Sequence, residues 1–375
     1  MARKKPDTST FEGRIKKQGY HKVGSHSAAK LCKYSRDSIL GKNLCYKNKF
    51  YGIRSHQCLQ CSPVLQFCNL SCKFCWRIMP ELNNSKSGQP ASPATLHASS
   101  QKNRQASPAA QFAGSQNSSA ASACSSSGWL PLPKNFSWDE PQLIADGLIA
   151  EQKRIMSGFR GNEKADKNRA KEAMEPKHVA LSLIGEPALY PKLSKLLEIF
   201  HKKGMTTFLV TNGTLPEAIK NLNPLPTQLY VSLVAPDGKT HAKVTQASSE
   251  AAKKNWQNYL KSLELLNFLS KKTRTVLRMT VAHGLNDQNP QGFANLILLS
   301  QAHYIEVKSM VYVGWARNKE RGLRLEDMYS MDEIRAYAKN LAAATGYIYE
   351  DEHLPSRIVL LCKDEAARNS RILSF

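Results

Sequence analysis

Short apolar runs alternate with helix-periodic segments along most of this chain. The runs fall at 178–184 (HVALSLI), 206–212 (TTFLVTN), 228–234 (QLYVSLV), 275–281 (TVLRMTV) and 304–314 (YIEVKSMVYVG). Between them, apolar positions recur with helical period at 141–158, at 192–204, from Pro216, and at 252–268, 289–301 and 331–346. PVLQF at 63–67 predicts a first strand ahead of these, and RIVLLC at 357–362 predicts a further one after them. Buried strands alternating with helices form parallel sheets through right-handed crossovers. Six such units predict an α/β fold, a partial TIM-type (βα)6 barrel, over an open doubly wound sheet. Polar groups gather at the strand ends: cysteines after the first, Gly185-Glu186-Pro187 after the second, Thr211-Asn212-Gly213 after the third. That rim is where barrel enzymes assemble their sites.

The alternation is interrupted once. Residues 82–137 are rich in Ser, Ala, Gln and Asn, with four Lys/Arg, no acids and few apolar residues before GWLPLPKNF. Such a composition buries too little apolar surface to offset its ordering entropy, so a disordered insertion is expected here, with Cys124 incidental to it. The chain therefore divides into a basic N-terminal extension over 1–61 and a barrel over 62–375 that carries the insertion at 82–137.

Charge adds a partner. The formal net charge is +23, and residues 1–60 hold fourteen Lys/Arg against three Asp/Glu. Tyr20, Tyr34, Tyr46, Phe50 and Tyr51 lie among those cations, a mixture suited to phosphate contact and base stacking. A solvated tail would carry the same charge, but nucleic acid is the leading partner. No apolar run is long enough to span a bilayer, and the N-terminus has no signal-peptide pattern. A cytoplasmic protein is expected, with thiols reduced, so the nine cysteines point to metal or catalysis over disulfides.

Cys68, Cys72 and Cys75 stand in CNLSCKFC, a Cys-x3-Cys-x2-Cys spacing on the loop after the first strand. Four sulfurs would complete a structural zinc site or a cubane cluster, whereas three leave one coordination position open. Zinc keeps a foothold, because Cys58-x2-Cys61 and Cys72-x2-Cys75 offer two knuckles of a ribbon, although that pairing strands Cys68. The spacing, with Phe74 before the last cysteine, resembles the radical S-adenosylmethionine superfamily. In that superfamily the three cysteines hold a 4Fe-4S cluster whose open iron binds S-adenosylmethionine.

Upstream, Cys32, Cys45 and Cys58 recur with twelve residues between neighbours and suggest a second cluster with its own open iron. Together with CNLSCKFCWR, GFRGN (158–162), PKHVALSLIGEPALYP (176–191), TNGTLP and VGWARNK (313–319), this resembles the tRNA 4-demethylwyosine synthases over all but the insertion. The resemblance implies a monomeric lyase with two 4Fe-4S clusters and S-adenosylmethionine. Its substrates would be pyruvate and tRNA-Phe carrying N1-methylguanosine 3′ of the anticodon. Electrons would come from a separate ferredoxin- or flavodoxin-type donor, since the chain resembles the shorter archaeal type. Cys68, Cys72 and Cys75 would hold the first cluster, and Cys32, Cys45 and Cys58 the second. Gly185, Glu186 and Pro187 match the segment that receives the methionine part of the cofactor, and Asn212 and Ser232 are further contacts. Pyruvate would bind the second open iron, or the amine of Lys47, or both. Cys61 and Cys362 match no ligand position. Another radical enzyme acting on RNA, or a zinc-stabilised RNA-binding protein, are the competing readings.

Overall fold

The computed structural model describes residues 10–78, 132–133 and 135–374. Six strands run parallel: β3 (Cys58–Ser62), β4 (His178–Leu181), β5 (Thr206–Thr211), β6 (Gln228–Leu233), β7 (Arg274–Val281) and β8 (Tyr304–Ser309). A hairpin of β1 (Tyr20–Val23) and β2 (Ser27–Lys30) extends the sheet antiparallel on β3, and β10 (Ile358–Cys362) with β9 (Ile348–His353) does the same beyond β8. The order is β1-β2-β3-β4-β5-β6-β7-β8-β10-β9, and among the described residues no pairing joins its two edges. This is the expected partial barrel, with both edges capped by antiparallel strands.

The outer face packs on helices, including α4 (Pro141–Ser157), α6 (Leu193–Lys202), α9 (Ser249–Leu269), α10 (Pro290–Ser300) and α11 (Met331–Thr345). The inner face is filled differently. The short helix α3 (Tyr46–Tyr51) enters the lumen, and Tyr46, Phe50 and Tyr51 pack with Ala180, Phe208, Tyr230, Val276, Tyr304 and Leu360. Rings meet edge-on there, Phe50 with Tyr46 at 5.7 Å and Tyr51 with Tyr304 at 5.4 Å between centroids.

Three expectations differ from this structure. The first parallel strand is β3, not 63–67, which runs as a loop; Pro63 has no N–H to give a ladder, while Leu59 and Cys61 are fully buried. The boundary expected between 61 and 62 therefore cuts through a strand, and the basic extension supplies both a hairpin and the lumen helix. Near the end of the insertion, Leu132 and Phe136 pack on the core, with Phe136 4.7 Å from Trp138 and 5.0 Å from Phe67 between ring centroids. The apolar residues of GWLPLPKNF explain this; the bulk of 82–137 and Cys124 lie outside the described residues.

Phe50 is fully buried inside the barrel. Phe50→Ala is expected to lower unfolding free energy by about 3–5 kcal/mol, as for other buried phenylalanines, read as a drop in urea midpoint at unchanged slope.

Candidate active site

The loop that follows β3 carries Cys68, Cys72 and Cys75 and is tied to four neighbours by main-chain bonds. Leu65 N donates to His26 O at 2.6 Å, and Glu186 N donates to Phe67 O at 2.9 Å. Lys73 N donates to Val244 O at 2.8 Å, and Trp315 N donates to Trp76 O at 3.1 Å. Gly185 makes the second tie possible: its φ is +81°, and a methyl group there would lie 1.7 Å from Val64 O.

All three thiols are half-buried and sense one another's charge. Burial pushes Cys68 well above its ordinary value and Cys72 up to about 12, and neighbouring Cys75 adds to the rise at Cys72. Burial thus favours the neutral thiols, and a bound iron would favour the thiolates. Two buried arginines stand ready for that charge. Arg321 Nη1 donates to Ser71 O at 2.7 Å and Cys72 O at 3.2 Å, and its charge favours both the Cys72 and Cys75 thiolates. Arg77 also favours the Cys75 thiolate, stacks 3.5 Å over the Trp76 ring, and donates to Tyr20 Oη at 3.1 Å.

A cavity of about 160 Å³ opens beside Cys68, lined by Gly185, Glu186, Pro187, Asn212 and Ser232. All five expected cofactor contacts thus meet at one place, next to one expected iron ligand. Glu186 is buried and accepts from Ala188 N at 3.0 Å, Thr211 Oγ1 at 2.7 Å and Asn212 N at 2.8 Å. Burial nevertheless raises it to about 7, so an arriving ammonium group would favour its ionised form. Asn212 holds the cysteine loop: its Nδ2 donates to Asn69 Oδ1 at 2.7 Å and lies 4.0 Å from Cys68 Sγ. Ser232 Oγ donates to Thr211 O at 3.2 Å on the same wall.

The other cysteine set is inside the fold. Cys32 precedes α2 (Lys33–Ile39), Cys45 precedes α3, and Cys58 opens β3. Cys45 senses Cys32 and Cys58, Cys58 senses Cys32, and burial holds both Cys45 and Cys58 up at about 12. The Lys47 ammonium opposes that rise at both thiols. Lys47 itself is 6% exposed, with Nζ 5.0 Å from the Phe208 ring centroid and 4.8 Å from that of Tyr230. Cys45, Cys58 and the Lys47 amine are packed in the barrel lumen, with Cys32 close enough for its charge to act on both thiols.

A zinc ribbon finds no support in this arrangement. Residues 58 and 61 lie on an extended strand and so face opposite sides. Cys58 packs in the lumen cluster and Cys61 in the outer core; Cys362 is likewise a buried core residue.

Arg321, Arg77 and Asn69 are site residues that the sequence did not reveal. Arg321 acts on carbonyls some 250 positions away, so nothing local marks it. Replacing it as Arg321→Met removes those charge-assisted hydrogen bonds, at about 1.5–3 kcal/mol each. The expected result is a lower thermal midpoint and less iron bound at the Cys68 loop, with the secondary-structure spectrum unchanged.

Two family models match: one described as the radical SAM superfamily over residues 163–297, the other as wyosine base formation over residues 299–363. The S-adenosyl-L-methionine-dependent tRNA 4-demethylwyosine synthase of Pyrococcus abyssi is 39% identical over 94% of this chain and 88% of its own. The enzyme of the same description from Methanocaldococcus jannaschii is 34% identical over 96% and 97%. A solved structure of TYW1 with a lysine-pyruvate adduct bound superposes with a TM-score of 0.72 at 32% identity, covering 99% of both chains.

Proposed function

The chain belongs to the S-adenosylmethionine-dependent tRNA 4-demethylwyosine synthases, and we propose that it condenses N1-methylguanosine, 3′ of the anticodon of tRNA-Phe, with two carbons of pyruvate. One observation carries the reading: besides a three-cysteine loop at the barrel rim, Cys45, Cys58 and the buried Lys47 amine are packed in the lumen with Cys32 near them. Cys68, Cys72 and Cys75 hold the 4Fe-4S cluster, and Gly185, Glu186 and Pro187 receive the methionine part of S-adenosylmethionine, with Asn212 and Ser232 on the adjoining wall. Together the cluster and S-adenosylmethionine supply a 5′-deoxyadenosyl radical. Cys32, Cys45 and Cys58 hold a second 4Fe-4S cluster.

Lys47 is the residue that receives pyruvate. Its amine adds to the ketone carbon, the ketone oxygen leaves as water, and a C=N bond joins the substrate to the chain. Burial on two aromatic faces protects that bond from bulk water. The related structure with a lysine-pyruvate adduct supports this assignment. Lys73, Lys243 and Arg324 line a cavity of about 220 Å³ at the mouth, and Trp76, 43% exposed, adds a ring for a base to stack on. These are the side chains that would grip the tRNA. No helix among the described residues is long and apolar enough to cross a membrane. The working form is a cytoplasmic monomer fed by a ferredoxin- or flavodoxin-type donor.

The test is the nucleoside product, from reconstituted chain, reductant, S-adenosylmethionine, methylated tRNA-Phe and uniformly 13C-labelled pyruvate. Wild type is expected to yield a nucleoside carrying two labelled carbons. Lys47→Arg keeps the charge but cannot form the C=N bond, and product is expected to fall by roughly 10²-fold or more. Full activity in Lys47→Arg would remove Lys47 from the chemistry, and unlabelled or absent product in the wild type would refute the reaction.

A further inference from the structure

The parallel strands β3 to β8 carry a single acidic residue, Glu306, against Arg274, Arg278 and Lys308. Arg274 is committed to the C-terminal segment: it donates to Ser370 O and Arg371 O, each at 2.6 Å, and to Gln228 Oε1 at 3.0 Å. Arg278 is not committed in this way. Its Nη1 donates to Tyr46 Oη at 2.8 Å and lies 3.8 Å from Glu306 Oε2. Among the described residues its Nε and Nη2 have no acceptor, and the side chain is 24% exposed toward the lumen. A guanidinium edge with two parallel free N–H groups matches the two oxygens of a carboxylate.

Glu306 cannot neutralise this lumen alone. Its Oε1 accepts from Tyr51 Oη at 2.9 Å, and its Oε2 has no hydrogen bond among the described residues. Lys308, on the same face of β8, donates among the described residues only to Ser309 O, at 3.1 Å. Burial and the nearby Arg278 bring Lys308 down to about 7, so an anion would restore its charge. Arg278 and Lys308 thus stand beside a single carboxylate, a surplus of positive charge that favours a bound anion.

Geometry says which anion. Tyr230 lies near both Lys47 and Arg278: Lys47 Nζ is 4.8 Å from its ring centroid, and the Arg278 charge acts on its phenol. Tyr46, which anchors Arg278, is the neighbour of Lys47 in α3. A 2-oxo acid joined to Lys47 through its ketone carbon carries its carboxylate one bond away.

We propose that Arg278, backed by Lys308, binds the carboxylate of the 2-oxo acid that reacts at Lys47, and so selects a 2-oxo acid over an uncharged ketone. The proposal rests on the reading of Lys47 above. Arg278 takes no part in the bond changes; it positions the ketone carbon against the amine.

Equilibrium dialysis of labelled pyruvate tests this on the full chain with clusters loaded, using wild type, Arg278→Gln, Arg278→Lys and Lys47→Ala. Arg278→Gln is expected to weaken pyruvate by about tenfold or more, the loss of one charge-assisted pair, with Arg278→Lys between the two. Methyl pyruvate, which lacks the charge, is expected to bind wild type and Arg278→Gln alike. S-adenosylmethionine affinity is expected to stay within about twofold. In the Lys47→Ala background the effect of Arg278→Gln persists while the borohydride-trapped adduct disappears; an adduct that survives Lys47→Ala overturns the Lys47 reading alone. Pyruvate affinity in Arg278→Gln within about twofold of wild type, or a loss confined to S-adenosylmethionine, overturns the carboxylate site. Should Arg278→Gln fail to fold, Arg278→Lys decides by the same ratio of pyruvate to methyl pyruvate.

Discussion

The insertion of α3 into the barrel is the contact on which the site depends. Tyr46, Phe50 and Tyr51 are buried in the lumen against Phe208, Tyr230 and Tyr304, and Tyr51 Oη donates to Glu306. Burying three aromatic side chains is worth several kcal/mol, enough to fix a six-residue helix that has little stability of its own. That burial places Cys45 and Lys47 inside the barrel, opposite Cys58 on β3. Without it the basic N-terminal segment would present its cysteines to solvent.

The rim is organised by a second constraint, the stitching of the Cys68–Cys75 loop to elements far away in sequence. The β1–β2 hairpin, the segment after β4 and the turn at 314–317 each bond one peptide of that loop, and the end of α8 (Gly238–Thr245) bonds two. Asn212 and Arg321 then fasten it with side chains. The loop can bind a cluster without first paying to order itself, and Glu186 is held close to Cys68 by the same contacts. Positive charge is distributed to match: Arg77 and Arg321 at the rim, Arg278 and Lys308 in the lumen.

The parallel core was legible because its strands are short, apolar and separated by amphipathic helices; β4 through β8 lie where periodicity predicts. The strand-end rule also found the cavity, since Gly185, Glu186, Pro187, Asn212 and Ser232 converge with Cys68. The edges were not legible. β9 reads IYEDEH, a half-buried strand whose charges guard a sheet edge and erase the apolar signal. The β1–β2 hairpin mixes His, Lys and Ser with its buried Tyr20 and Val23, and its burial depends on α4, where Gly147 gives Val23 room to approach. The second cysteine set was visible only as a spacing; its closeness to Lys47 comes from the lumen helix, which no local pattern announces. Arg278 and Arg321 were hidden for the same reason, because their partners are distant in sequence.

The most direct test of two separate cysteine sites is anaerobic iron and sulfide content, measured on the wild type and on two triple variants. One replaces Cys32, Cys45 and Cys58 by Ala, the other Cys68, Cys72 and Cys75. The account requires about eight irons per wild-type chain and about four in each variant, one cubane for each surviving triad. About four irons in the wild type, unchanged when Cys32, Cys45 and Cys58 are removed, would contradict it.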